Sequence, residues 1–261
     1  MELKVVECKT AISPSRLPGL DWAVNPYRGC AHGCLYCYAQ DVTRFRMDTR
    51  WGTCVEVKVN LPRLLKKELG RKALGVYGIG TVTDPYQPAE ERFGLTRACL
   101  GTFKEMGANI SILTKSPLIL RDLDILKGYE KAEVGVSIGI VNEHMAAVLE
   151  PGAPSPRRRF ELLRELNAAG VRTYLMAAPI IPGVCDLDAD LERLVSFAHD
   201  ASVGSIMWDS FNPRPLAMKR LKECMPQLPI SQETPASRLF RVRSTLLKEC
   251  DRWGIRLLDA F

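Results

Sequence analysis

Six short apolar runs, separated by helical stretches, constrain the fold of this chain more than any other feature. They are Ala23–Asn25, Val76–Thr83, Asn109–Leu113, Glu133–Ile138, Arg172–Ala177 and Ser205–Asp209. Most are rich in β-branched residues, and each is bounded by Gly, Pro or polar residues, which is the pattern of buried strands. The segments between them carry helix punctuation. Ser116-Pro117 and Ser155-Pro156 are N-cap and first-turn pairs, and Gly107 and Gly170 stand where helices should stop. Arg157–Ala169 brings Phe160, Leu163 and Leu166 onto one face, as a helix packed on a sheet requires. Repeated strand–helix alternation predicts an α/β fold with a parallel sheet and helices outside it. Right-handed crossovers would curl six such units into a partial (β/α)6 barrel of the TIM type.

The flanks extend this core. Val55–Val59 alternates cleanly and reads as a half-exposed strand outside the series, and Leu3–Cys8 reads as an edge strand or arm before a Pro-rich lead-in. After about residue 212 the pattern is less regular. A helix is expected from Thr234-Pro235 to about Trp253, with Ile255–Leu258 returning as a strand. One domain spanning 1–261 is expected, with its core at about 20–212.

Composition narrows the setting. The 261 residues are 46% hydrophobic and 25% charged, as in soluble globular proteins. No apolar run approaches the roughly 20 residues of a membrane span. The opening MELKVVECKT carries charges where a signal peptide would be apolar, so a cytoplasmic protein is expected. Nine cysteines, of which only three cluster, do not suggest a disulfide framework and suit a reducing compartment. The net charge of +6 permits a nucleic-acid substrate but lacks the basic stripe of a dedicated binder. Arg157-Arg158-Arg159 reads as a solvated helix start or a contact for substrate phosphate.

The three clustered cysteines are Cys30, Cys34 and Cys37, at C-x3-C-x2-C spacing. Thiolates are soft ligands, so three in one short loop suit zinc or an iron–sulfur cluster. Structural zinc takes four protein ligands, whereas an iron–sulfur cube can be held by thiolates with one iron left open. A Cys₃His zinc set with His32 is the alternative. It would make the chain a zinc-stabilised nucleic-acid-binding module without catalysis, with salt-steep affinity. In parallel α/β folds chemistry collects at the C-terminal strand ends. Here those ends hold the cysteine loop, Thr81–Glu90, Thr114-Lys115-Ser116, Ser137, Ala178–Gly183 and Trp208–Pro213.

The run NPYRGCAHGCLYCYA, with Tyr36 before the third cysteine, resembles the radical S-adenosylmethionine (SAM) enzymes, in the branch related to spore photoproduct lyase. GTVTDPYQPAE, ILTKS, GVSIG and LEPGAPSPRRR match family segments in order, so that the resemblance runs from about Pro14 to Pro182. It implies a partial (β/α)6 barrel in which Cys30, Cys34 and Cys37 ligate one 4Fe-4S cluster, reduced by an external flavodoxin or ferredoxin. SAM would be cleaved there to a 5′-deoxyadenosyl radical that abstracts a substrate hydrogen.

The same resemblance implies that Lys115 and Ser137 contact the SAM carboxylate; the ordinary alternatives are a surface lysine and a hydroxyl satisfied by backbone. It implies that Tyr36 backs the adenine and that the segment ending in Pro179 flanks it. Thr83-Asp84, with Glu90, would bind the cofactor amino group or order the loop. Glu143 would be a ribose contact or an exposed helix-start carboxylate. No second cluster and no cobalamin domain are expected, because Cys8, Cys54, Cys99, Cys185, Cys224 and Cys250 are scattered through the sequence.

The substrate is left open among nucleic acid, protein side chain and metabolite. The lyases carry a hydrogen-donating cysteine at the second strand end, where this chain has Gly80 at or beside the position. A spore photoproduct lyase is therefore not expected. Cys185, in a strand-end loop, is a candidate hydrogen donor, with an inert loop cysteine as the alternative.

Overall fold

The computed structural model describes residues 1–46, 49–70, 74–227 and 235–260. Its main sheet takes the barrel strands in chain order: β1 (Trp22–Val24), β2 (Val76–Ile79), β3 (Asn109–Thr114), β4 (Ala132–Ser137), β5 (Thr173–Ile180), β6 (Ser205–Ser210) and β7 (Arg256–Asp259). Each of these pairs in parallel with its neighbours, and Ser13–Pro14 adds an antiparallel pair on the outer edge of β1. The six expected strands are all present, and the expected return near the C-terminus becomes β7. Helices Leu95–Glu105, Pro156–Ala168, Asp188–Asp200 and Pro235–Trp253 cover the outside. Thr234, the expected helix opener, lies outside the described residues.

Two boundaries differ from expectation for identifiable reasons. β2 stops at Ile79 rather than Thr83, because Gly80 takes φ 90° and turns the chain out of the sheet. A Cβ there would lie 2.5 Å from Pro85 and 2.8 Å from the Leu113 carbonyl, so only glycine fits. β5 runs on to Ile180 because β6 stays paired with it as far as Ser210. The expected strand Val55–Val59 is Cys54–Lys58, in a separate sheet between Glu2–Val6, which is parallel to it, and Tyr27–Arg28, which is antiparallel. Ser155 caps its helix through Arg158 N, as expected, while Ser116 opens a 3₁₀ turn rather than an α-helix.

Strand alternation divides the side chains between helices and barrel interior. Ile112, Val134, Val136, Leu175 and Ile206 are wholly buried, as are Leu162, Leu163 and Leu166 on Pro156–Ala168. Each such side chain contributes about 1.5–3 kcal/mol by leaving water. On the inner face, register aligns Ser137 with Met176, Met176 with Met207, and Met207 with Leu258. Trp208 points the other way, donating Nε1 to Asp259 Oδ1 at 2.7 Å, where Arg243 of the outer helix also binds. The register with β5 shifts between Trp208 and Ser210, and Asp209, at that irregularity, lies within electrostatic reach of Tyr38 at the end of the cysteine loop.

Candidate active site

The cysteine loop follows β1 and is gripped from two sides. Thr83 Oγ1 donates to the Gly29 carbonyl at 2.6 Å. The wholly buried Gln87 donates Nε2 to the same carbonyl at 3.2 Å and accepts Ala31 N at 2.8 Å. Opposite, Leu35 N donates to Leu149 O at 2.8 Å and Gly152 N to His32 O at 2.9 Å. A Cβ at Gly152 would stand 2.4 Å from the Ala31 carbonyl, so this approach requires glycine.

Inside the loop, Gly33 N bonds Cys30 O and Cys37 N bonds Cys34 O, at 3.2 and 3.1 Å. Cys30 and Cys34 are buried and Cys37 is half-buried. Burial pushes the Cys30 thiol up, with Asp84 and the other two thiols adding to it. Among the described residues no three His, Cys, Asp or Glu side chains form a closed metal set, so the thiols are neighbours in one loop rather than a preassembled cage. The donor chemistry fits an iron–sulfur cluster: three soft thiols close in sequence and screened from water. His32, the fourth ligand a Cys₃His zinc site would need, directs Nδ1 at Asp84 Oδ2, 3.3 Å away.

Asp84 joins three strand ends. Its Oδ1 accepts Tyr86 N at 2.8 Å and Thr114 Oγ1 at 2.7 Å, while Oδ2 accepts Lys115 N at 2.8 Å and faces His32. Burial opposes its ionisation, but His32 and the bonds from Lys115 N and Thr114 outweigh that and hold the carboxyl below its usual range. Of its two expected roles, ordering the loop is the one for which partners are present. Glu90 is likewise saturated by Tyr27 Oη, Thr96 N, Arg97 N and Arg121 Nη2.

The second network centres on Glu150, a residue given no chemical role in the sequence reading. Its carboxylate accepts Tyr36 Oη and the guanidinium of Arg159, and lies 3.3 Å from Lys115 Nζ. Burial would raise Glu150, but Lys115 and Arg159 together override it and hold the carboxyl down at about 2. Lys115 Nζ donates to Ser137 Oγ at 2.6 Å and lies 5.9 Å from the Tyr36 ring centroid. Arg159 Nη1 donates to Ser137 O at 3.0 Å and Nε to Pro154 O at 2.8 Å. The arginine run thus splits: Arg157 is exposed and Arg158 partly so, whereas Arg159 is wholly buried. Its position on the stripe with Leu163 and Leu166 was the available signal, since an arginine on a buried stripe needs a carboxylate partner.

The remaining expected residues separate. Pro179 lies in β5, its carbonyl 2.7 Å from where a Cβ on Gly139 would stand, and Ser137 Oγ is 3.4 Å from Ala178 O. Cys185, the candidate hydrogen donor or inert loop cysteine, is 3% exposed. Its chain turns back through Val184 N–Ile181 O, and Ile181 N donates to the Cys185 sulfur at 3.1 Å. Burial pushes that thiol up to about 12. Glu143 is exposed and accepts Arg157 N at 2.9 Å, as a helix-start carboxylate does. Around β5 and β6 the inner face is more open: Met176, Ala178, Met207 and Asp209 are half-buried, and Tyr38 is exposed with its hydroxyl on Thr81 O at 2.5 Å.

A parallel partial barrel with a thiol-bearing loop and a buried lysine–carboxylate network at its strand ends defines a class of α/β enzymes that work at that rim. The Radical SAM superfamily model matches residues 24–198. An uncharacterized protein of Methanocaldococcus jannaschii is 36% identical over 188 residues, covering 72% of this chain and 71% of its own length. A spore photoproduct lyase variant with bound AdoMet and dinucleoside spore photoproduct superposes with a TM-score of 0.77 at 15% identity, over 99% of this chain and 82% of that one. Streptococcus suis SuiB bound to precursor peptide SuiA gives 0.59 at 14% identity, over 99% and 48%.

The chain belongs to the radical SAM superfamily. It is an enzyme whose cofactors are a 4Fe-4S cluster and SAM, and whose chemistry is reductive cleavage of SAM. Enzymes of this superfamily need a reductant and a substrate. Among the described residues no helix is long and apolar enough to cross a membrane.

Proposed function

We propose that Cys30, Cys34 and Cys37 hold the cluster, that Lys115 and Ser137 receive the SAM carboxylate, and that Tyr36 and Pro179 lie beside its adenine. The observation that carries this reading is the placement of Lys115: its ammonium contacts Ser137 Oγ at 2.6 Å and stands over Tyr36, between two of the three cysteines. When bound, cluster and SAM supply a 5′-deoxyadenosyl radical for hydrogen abstraction. The chain's own residues prepare that chemistry. Glu150, 3.3 Å from Lys115 Nζ, holds the ammonium aimed, so that a carboxylate arriving from solvent meets a charge-assisted donor already in position. Thr83, Gln87 and Asp84 fix the loop, and burial of its thiols keeps water away.

The reductant in this reading is a flavodoxin- or ferredoxin-type protein in a reducing cytoplasm, in keeping with nine unpaired cysteines. Pairing of β7 with β6 supports one radical SAM domain extending beyond the family match to the C-terminal strand. The structural neighbours named above hold a dinucleoside and a peptide, so the barrel accommodates either class, and the open β5–β6 mouth is where this enzyme's substrate enters. Repair of spore photoproduct by a cysteine donor at the second strand end is not carried over, because no side chain fits at Gly80.

Anaerobic reconstitution of single variants tests the assignment. Cys30→Ala, Cys34→Ala and Cys37→Ala should each lose the iron and the brown colour, whereas Lys115→Ala should keep both. Lys115→Ala should bind SAM about 10–100-fold more weakly, the loss of a hydrogen bond to a charged group. Full iron loading in any cysteine variant would contradict the ligand set.

A further inference from the structure

The cysteine loop has a third anchor, which comes from outside the segment matched by the family. Helix Pro215–Cys224 follows β6 and packs on the short helix Ala39–Thr43 that continues the loop. The contact is reciprocal. Asp41 Oδ1 accepts Leu216 N at 2.9 Å, near the start of the longer helix. Arg220, one turn further on, reaches back into the loop: Nε donates to Leu35 O at 2.9 Å, Nη2 to Cys37 O at 2.5 Å and Nη1 to Gln40 Oε1 at 2.7 Å. Gln40 passes the support on, donating Nε2 to the carbonyls of Arg46 and Thr49.

Three acceptors engaged by one planar fork define the path of the chain on both sides of Tyr36, and a lysine could not satisfy them together. Asp41 on the facing helix acts on Arg220 through space, but no carboxylate among the described residues forms an ion pair with it, and its three side-chain bonds all go to neutral acceptors.

We propose that Arg220 is a positioning residue that clamps the cluster loop and raises the reduction potential of the cluster, by placing a positive charge without a contact ion pair against the Cys37 backbone. The inference rests on the assignment of Cys30, Cys34 and Cys37 as ligands. The physical reason is electrostatic: the reduced cluster carries one more negative charge than the oxidised one, so a nearby fixed cation favours the reduced form. The exchange is one electron from the external reductant, with no proton moved.

The test is an EPR-monitored redox titration of anaerobically reconstituted wild type, Arg220→Gln, Arg220→Lys and Lys219→Gln, with iron content and chelator resistance measured alongside. Lys219 is an exposed lysine on the same helix whose one ion pair among the described residues is with Glu223, and it controls for charge without the clamp. Arg220→Gln should lower the midpoint, so that at the wild-type midpoint the reduced-to-oxidised ratio falls about tenfold, which is 59 mV for one electron. Lys219→Gln should leave it unchanged. Arg220→Lys, which keeps the charge and gives up the fork, should hold the wild-type midpoint while losing iron to chelator faster. A wild-type midpoint in Arg220→Gln, or a midpoint in Arg220→Lys as low as that of the glutamine variant, would overturn the proposal. If Arg220→Gln fails to fold, Arg220→Lys is read against wild type: a midpoint lower by about 59 mV, or iron lost to chelator no faster than in wild type, would overturn the proposal. Wild type that takes up no iron would instead refute the ligand assignment on which the inference rests.

Discussion

The rim of this barrel has two halves built on opposite terms. From β1 to β4 the buried carboxylates are saturated: Asp84 by Tyr86 N, Thr114, Lys115 N and His32, and Glu150 by Tyr36, Arg159 and Lys115. At β5 and β6 the inner residues are half-exposed, and Asp209 makes no hydrogen bond or ion pair to a side chain among the described residues. Burial there pushes the Asp209 carboxyl up. A saturated network holds its groups in place before any ligand arrives, which suits a cofactor that is the same in every turnover. An unsaturated wall leaves partners free for whatever the substrate brings. In the proposed reading the closed half is the cofactor side and the open half the substrate side.

The largest expected effect is in the closed half. Glu150→Ala would leave Lys115 and Arg159 as buried cations without their shared carboxylate and should cost about 3–5 kcal/mol in chemical denaturation. A loss under about 1 kcal/mol would mean that the network is ornamental to the fold. Next comes the turn that separates β2 from the rim. Gly80→Cys adds a Cβ at φ 90° against Pro85 and the Leu113 carbonyl, and should cost about 1–3 kcal/mol without conferring spore photoproduct cleavage. Wild-type thermal stability, or efficient lesion splitting, would count against this view of the second strand end.

A smaller change is expected from Ser137→Ala, which removes one neutral partner of Lys115. SAM affinity should fall about tenfold at most, with stability reduced by about 1 kcal/mol. Equilibrium binding and a melt would show it, and an unchanged affinity would remove Ser137 from the cofactor side.

The smallest effect on stability belongs to the open half. Asp209→Asn should unfold within about 0.5 kcal/mol of wild type and form 5′-deoxyadenosine without substrate at the wild-type rate, while substrate turnover falls. Because the folded carboxyl is raised, its ionisation disfavours the folded state once the pH exceeds the unfolded value. The variant should therefore match wild type at low pH and be slightly the more stable near neutrality. A stability loss as large as that of Glu150→Ala would erase the distinction between the halves.

Much of this rim could be read in the sequence, for physical reasons. Strand periodicity, Ser155 as a cap and the spacing of Cys30, Cys34 and Cys37 are local patterns, and Lys115 and Ser137 follow from knowing that chemistry gathers at strand ends. The partners were not legible. Glu150 meets Tyr36 across 114 positions and Arg220 meets Cys37 across 183, and no periodicity encodes a pairing at that range. Gln87 is unmarked within GTVTDPYQPAE, and only the fold brings Gly29 and Ala31 to its amide. For Cys185 the sequence left donor and inert loop cysteine open, and the turn through Ile181 that buries the thiol is a feature of the fold alone.

The most direct test of the division is the EPR spectrum of the reduced, reconstituted enzyme with and without SAM, together with 5′-deoxyadenosine release. Wild type and Asp209→Asn should both show a spectrum altered by SAM and release 5′-deoxyadenosine, while Lys115→Ala should keep the cluster signal but respond to SAM only at far higher concentration. A Lys115→Ala protein that responds to SAM as wild type does, or an Asp209→Asn protein that does not respond at all, would contradict the assignment of the closed half to the cofactor.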